Sequence, residues 1–95
     1  MLVTVIHWRD IPSQIVSGKG RKKSKLMLSE RFQEAIDIAA MRDKAHESDA
    51  YLEGWRKEQT EVEDGSVEEL ASRLEIDFNE TRLRSFVTNG GWEPK

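Results

Sequence analysis

Ile6-His7-Trp8-Arg9-Asp10-Ile11-Pro12-Ser13-Gln14-Ile15-Val16 is the stretch that decides the fold, together with the basic turn behind it, Ser17-Gly18-Lys19-Gly20-Arg21-Lys22-Lys23-Ser24-Lys25. It joins two apolar runs with the character of strands, and a third, Lys25-Leu26-Met27-Leu28, leads into the first helix. Leu2 to Trp8 is β-branched and aromatic, and its weak alternation predicts burial on both faces, as in a central strand. Pro12 ends that element; having no N–H for a ladder, it is confined to an edge, a bulge or a strand start. Gln14-Ile15-Val16 begins a second strand. Gly18-Lys19-Gly20 supplies positions that tolerate positive φ, so residues 13–28 read as a hairpin with a basic tip. Lys at such a tip or edge also discourages edge-to-edge aggregation.

Beyond residue 28 the period changes. Ser29 fits an N-cap and Glu30 suits the positive end of a helix dipole. Leu28, Phe32, Ala35, Ile36 and Ala39 repeat at helical spacing with Met41 to one side, while Arg31, Glu34, Asp37 and Arg42 take the other faces. The frequent alanines predict close approach to a sheet or another helix. His46-Glu47-Ser48-Asp49 interrupts the pattern, and Ser48 or Asp49 caps a second helix carrying Ala50, Tyr51, Leu52 and Trp55, reaching at most to Val62. Glu61-Val62-Glu63-Asp64-Gly65 reads as its acidic, frayed end. Ser66-Val67-Glu68-Glu69 is a capping box for a third helix with a buried stripe of Leu70, Ala71, Leu74 and Ile76. Asp77-Phe78-Asn79-Glu80 repeats the box spacing, predicting a break and a restart through Leu83, Phe86 and Val87, ended by Asn89-Gly90-Gly91.

Ninety-five residues with 37% hydrophobic content make one domain, 1–95, divided into a sheet part at 1–28, a helical part at 29–88 and a tail at 89–95. A chain of this size buries roughly 60–65% of its unfolded surface, which leaves little room for an internal active site. The absence of cysteine excludes disulfides, thiolate metal sites and cysteine nucleophiles. Met1 to Trp8 is too short for a signal-peptide core, and no apolar run approaches a membrane span, so a cytoplasmic, soluble protein with no membrane association is expected. The net charge of -3 hides an uneven layout: through residue 28 there are six basic residues (Arg9, Lys19, Arg21, Lys22, Lys23, Lys25) against Asp10, a surplus of +5 that leaves -8 for the remainder. Such a split points to a basic patch for a partner, or to a basic hairpin lying against the acidic helices of its own or a second copy.

The run at 19–25, five of whose seven residues are cationic, is the sharpest candidate for function. It neutralises phosphates or an acidic protein surface equally well. Against nucleic acid stand the absence of interleaved aromatics, of helix-turn-helix or zinc-finger spacing, and a pI near 5.4. Gly18-Lys19-Gly20 lacks phosphate-loop spacing. Trp8-Arg9-Asp10 sets an indole, a guanidinium and a carboxylate before a proline, a grouping that orients an anion or makes an interface hot spot; equally, Trp8 is core, Asp10 caps the turn and Arg9 is solvated. Trp92, outside the apolar periodicity, either docks back over the helices or anchors a partner. His7 and His46 are isolated, and His46 with Glu47 and Asp49 forms no closed metal shell, so no metal, no cofactor and no catalytic residue is assigned.

Trp8-Arg9-Asp10-Ile11-Pro12, Gly20-Arg21-Lys22, Leu28-Ser29-Glu30-Arg31-Phe32-Gln33-Glu34-Ala35-Ile36-Asp37 with Ala40-Met41, and Ser48-Asp49-Ala50-Tyr51-Leu52 with Trp55-Arg56 together resemble the small bacterial "virulence factor" family domain over roughly residues 3 to 87. That name records a phenotype, and the resemblance carries over no catalytic residue. It implies an accessory or interaction module, because such domains occur alone and fused to repeat-rich scaffold-like regions. Stand-alone members near genes for folate- and corrinoid-linked methyl transfer imply a subunit or adaptor in one-carbon metabolism.

The expected fold is α+β: a small antiparallel sheet of about three N-terminal strands packed against three or four C-terminal helices. The expected function is a non-catalytic protein-binding adaptor that sets the basic hairpin (Lys19, Arg21, Lys22, Lys23, Lys25), with Arg9 and Arg31, against an acidic partner surface, with Trp8, Asp10 and Trp92 as a possible hot spot. Nucleic-acid or other polyanion binding by the same loop is the alternative. A small enzyme, or the accessory subunit of a methyl-transfer system, centred on Trp8, Arg9 and Asp10 is the third.

Overall fold

The β-branched run at the N-terminus becomes the inner strand of a sheet because its backbone is paired on both sides. The structure, a computed structural model, describes residues 2–18, 24–42, 49–63 and 67–94. In chain order the elements are β1 (Leu2–Trp8), β2 (Ile11–Ser17), β3 (Ser24–Met27), α1 (Glu30–Arg42), α2 (Asp49–Glu53), β4 (Trp55–Glu61), α3 (Val67–Asp77) and α4 (Glu80–Thr88). The sheet is antiparallel throughout, in the order β3-β2-β1-β4. The class is α+β, as expected, but with four strands rather than three. The basic tip at 19–23, His46-Glu47-Ser48 and the Ser66 of the capping box lie outside the described residues.

The fourth strand replaces most of the helix expected over residues 49–62. That helix stops after five residues, where Gly54 N donates to Ala50 O and the chain extends along β1, from Trp8 opposite Trp55 to Leu2 opposite Glu61. Gly54 is required at this break, because a Cβ there would lie 2.5 Å from Trp8 Nε1. The strand was hidden in the sequence because β4 is an edge: Arg56, Lys57, Glu58, Gln59 and Glu61 are all exposed, so neither a two-residue nor a 3.6-residue apolar period marks it.

The second strand also begins earlier than Gln14. Arg9 adopts φ of 55°, making a two-residue reversal with Asp10 that sets Trp8 opposite Ile11. The register then slips between Ile6, opposite Gln14, and His7, opposite Pro12, which leaves Ser13 as the extra residue of a bulge. Pro12 is thus accommodated beside a bulge, where a ladder tolerates its missing donor.

Two adjoining clusters form the core. Val3, Val5 and Ile15 pack against Leu26, Val62, Val67, Leu70, Ala71 and Leu74. Trp8 and Ile11 pack with Leu28, with Phe32, Ala35, Ile36, Ala39 and Ala40 of α1, and with Leu83, Phe86 and Val87 of α4. The alanines of α1 face this cluster, as their spacing predicts. Ile76, by contrast, is 74% exposed; two residues past Leu74 it falls about 200° around the helix, away from the buried stripe. The predicted restart is present: Asn79 is the N-cap of α4, its Oδ1 accepting from Arg82 N at 2.9 Å.

A polar clasp ties the start of α1 to the α3–α4 junction. Ser29 precedes α1 and its carbonyl accepts from Phe32 N, but its own N–H and Oγ donate to the two Glu75 carboxylate oxygens at 2.8 and 2.7 Å. Arg31 donates to Glu75 Oε1 at 2.9 Å and to the carbonyls of Glu75 and Phe78. Partial desolvation works to raise the Glu75 carboxyl, but the Ser29 bonds and Arg31 outweigh it and hold it below its ordinary value.

Two predictions follow from these constraints. Gly54→Ala forces the Trp8 indole to move and should lower unfolding free energy by about 1–3 kcal/mol, read from the urea midpoint. Because Glu75 binds its proton less readily folded than unfolded, its stabilisation is present above the ordinary carboxyl range and lost as pH falls through the folded value. Glu75→Gln should therefore cost about 1 kcal/mol at pH 7 and leave an acid-denaturation curve with a shallower slope below pH 5.

Candidate binding surface

The turn between β1 and β2 carries Trp8, Arg9 and Asp10, and the structure brings Trp92 and Arg56 to the same place. A left-handed arginine is an uncommon conformation, held here by backbone bonds on every side. Arg9 N donates to Gly54 O at 2.7 Å, Arg9 O accepts from Arg56 Nε at 2.7 Å, and Asp10 N donates to Gly91 O at 2.9 Å. The buried Arg9 side chain runs between two indoles, its guanidinium carbon 4.5 Å from the Trp8 ring centre and 5.5 Å from that of Trp92, and Nη1 donates to Gly90 O at 2.6 Å. Asp10 accepts from Glu93 N at 2.7 Å and from Arg56 at 3.2 Å.

This node is filled. Trp8 has no solvent exposure and its Nε1 donates to Tyr51 O at 2.8 Å; at Gly91, where φ is +91°, a Cβ would lie 2.8 Å from its ring. Asp10 does hold the turn, although through the C-terminal segment rather than through its own backbone. Trp92 docks its backbone onto the helix end and leaves its ring half exposed over Arg9. The described grooves run along the helices, one lined by Thr81, Arg84, Ser85 and Thr88, another by Arg31, Ile38, Leu83 and Val87 between α1 and α4; Trp8, Arg9 and Asp10 line none of these.

His7 sits beside this node on β1. Burial, reinforced by Arg56, holds its imidazole below the ordinary value, and Nδ1 is buried with no hydrogen-bond partner. The unfolded chain therefore takes up a proton first as pH falls through 6.5, and acidification there disfavours the fold. Among the described residues no group of His, Asp and Glu is arranged to hold a metal ion, and no helix is long and apolar enough to cross a membrane.

The remaining candidates separate by where their charge is directed. Arg31 is drawn into the Glu75 clasp and Arg9 into the indole pair, whereas Lys25 is exposed on β3. Lys19, Arg21, Lys22 and Lys23 lie outside the described residues. The register aligns two rows across one face of the sheet: Lys25, Val16, Thr4, Gln59, and beside it Met27, Gln14, Ile6, Lys57. Val16, Ile6 and Met27 join neither core cluster, and Met27 and Leu2 are 59% and 58% exposed. The face thus mixes Val16 and Ile6 with Thr4 and Gln14 on its two inner strands, with Lys25 and Met27 on β3 at one side and Gln59 and Lys57 on β4 at the other. Lys57 and Arg56 were not singled out from sequence, since their placement depends on a strand that carries no apolar signal.

Arg9→Ala should release Trp92 from the turn. The expected result is a red shift of Trp92 emission, resolved against a Trp92→Phe reference, and a loss of about 2 kcal/mol in chemical denaturation.

No curated protein and no solved structure matches the chain. A protein-family model described as Virulence factor matches residues 6–87, from the middle of β1 to the last turn of α4, and so includes the turn, the hairpin, the fourth strand and the clasp. By that match over most of its length, this chain belongs to the virulence factor family.

Proposed function

We propose that this chain is a non-catalytic, cytoplasmic protein-binding module that takes an acidic surface of a partner protein against its basic hairpin. The observation that carries the reading is the pair of rows across the sheet, in which exposed Lys25 and exposed Met27 stand side by side on β3, next to Val16 and Gln14, with Lys57 at the far side beyond Ile6. A sheet face that sets exposed Met27 and half-buried Ile6 among lysines suits a protein surface that offers apolar contact and carboxylates together. In sequence, the connection from β2 to β3 adds four more cations, Lys19, Arg21, Lys22 and Lys23. Arg9 and Arg31 support the hairpin's surroundings from within, through Gly90 and Glu75, and are positioning residues in this reading.

The test is affinity capture from native cytoplasm with the wild-type chain and with a variant in which Lys19, Arg21, Lys22, Lys23 and Lys25 are all Glu. The partner should be lost from that variant and kept by a control with the exposed α3 residues Glu68 and Glu69 changed to Lys. Retention of the same partner by the hairpin variant overturns the reading. If nuclease alone strips the bound material, the hairpin is a polyanion site, with affinity falling with salt in proportion to the phosphates neutralised. Recovery of a methyl-transfer enzyme as the partner would make the module its accessory subunit.

A further inference from the structure

The backbone edge of β4 is a surface that the hairpin reading does not use, although Lys57 on this strand also lies in the rows described above. Among the described residues β4 pairs with β1 alone, in register over all seven residues from Trp55 to Glu61 with no slip, and it contains neither proline nor glycine. A regular edge of this length presents a row of backbone donors and acceptors, which chains ordinarily protect by bulges, proline or like charge. The opposite edge, β3, is four residues long and leads out of a run of cations. Strand β4 has no bulge, no proline and no surplus of one charge to repel a second copy, although four of its seven side chains are charged. Its charges cancel, Arg56 and Lys57 at one end against Glu58 and Glu61 toward the other.

We propose that β4 is the contact by which two copies of this chain pair, edge to edge and antiparallel, about a two-fold axis at Gln59, joining two four-stranded sheets into one of eight strands.

The register is set by symmetry and charge. Two identical strands that pair side by side and antiparallel are related by an axis perpendicular to the sheet, which carries each face onto the same face of the other copy. Directly opposed residues must then lie on the same face of β4, so the axis passes through a residue and not between two. An axis at Lys57 or at Glu58 sets like charges directly across it, which is destabilising. An axis at Thr60 brings Gln59 against Glu61 and forms no ion pair. An axis at Gln59 sets Lys57 opposite the second copy's Glu61 twice, Glu58 opposite Thr60 twice, and Gln59 opposite itself, where two amides can donate and accept reciprocally. It is the one register with opposite charges directly opposed and no like pair. A carboxylate accepts several donors, so this pairing does not require Glu61 to be without contacts in its own chain.

The absence of cysteine makes the geometry directly testable. In the full chain, Gln59→Cys places two thiols on the axis, within the roughly 4.4–6.8 Å Cα separation a disulfide needs, and should form a covalent dimer on mild oxidation. Lys57→Cys, whose copies lie about four residues apart along the strands, should not. By sedimentation equilibrium, Lys57→Glu and Glu61→Lys should each weaken dimerisation about tenfold or more, and the double variant K57E/E61K, which restores the pairs with their signs exchanged, should return to within about threefold of wild type. A wild-type chain that stays monomeric at about 100 μM, equal cross-linking at 57 and 59, or a double variant no tighter than the singles would overturn the proposal. The hairpin variant with five Glu substitutions should dimerise as wild type does, which separates this contact from the partner surface.

Discussion

The rest of the molecule is arranged around the accommodation of one indole. Trp8 ends β1 with no exposed surface, and to bury it the chain brings the residue after α2, Gly54, and the C-terminal turn at Gly91 against its ring, within a core cluster that α1 and α4 complete through Phe32 and Phe86. Burial of a tryptophan contributes several kcal/mol, which outweighs the order of 1 kcal/mol that a left-handed arginine costs. The position of Arg9 follows: it reverses the chain directly after Trp8, and its guanidinium lies 4.5 Å from the centre of that ring.

That arrangement divides the basic residues into two populations. Three arginines hold separated segments together, each donor fork reaching several acceptors at once: Arg9 to Gly90, Arg31 to Glu75 and Phe78, Arg56 to Arg9 and Asp10. The described sheet lysines, Lys25 and Lys57, are exposed at the ends of the cross-strand rows. The same guanidinium groups that look like partner contacts in a charge count serve to hold loops and helix ends in place. The filling of the turn also explains why its indole, guanidinium and carboxylate line none of the described grooves.

Legibility from the sequence followed the apolar signal. β1 and the face of α1 could be read because burial forces β-branched residues in one and a 3.6-residue repeat in the other, and the break at Asn79 could be read because capping is a local interaction. β4 and Ile76 could not. An edge strand is held by backbone bonds to β1, to which side-chain identity contributes little, and its charged residues fit an exposed helix equally well until Gly54 is seen against Trp8. The early start of β2 was hidden for a related reason: the positive φ at Arg9 is sustained by bonds to Gly54, Arg56 and Gly91, residues 45 or more positions away.

The α+β class, the antiparallel strand following Val16, the amphipathic first helix, the separation of charge between the two parts of the chain and the family were all readable from the sequence. Those properties are set by composition and by interactions within a few residues. The inward turn of Arg9 and Arg31, the seat of Trp92 on the turn, the fourth strand and the placing of Lys25 and Lys57 on one face of the sheet came only with the fold, because each depends on which distant backbone or ring lies against the residue once Trp8 is buried.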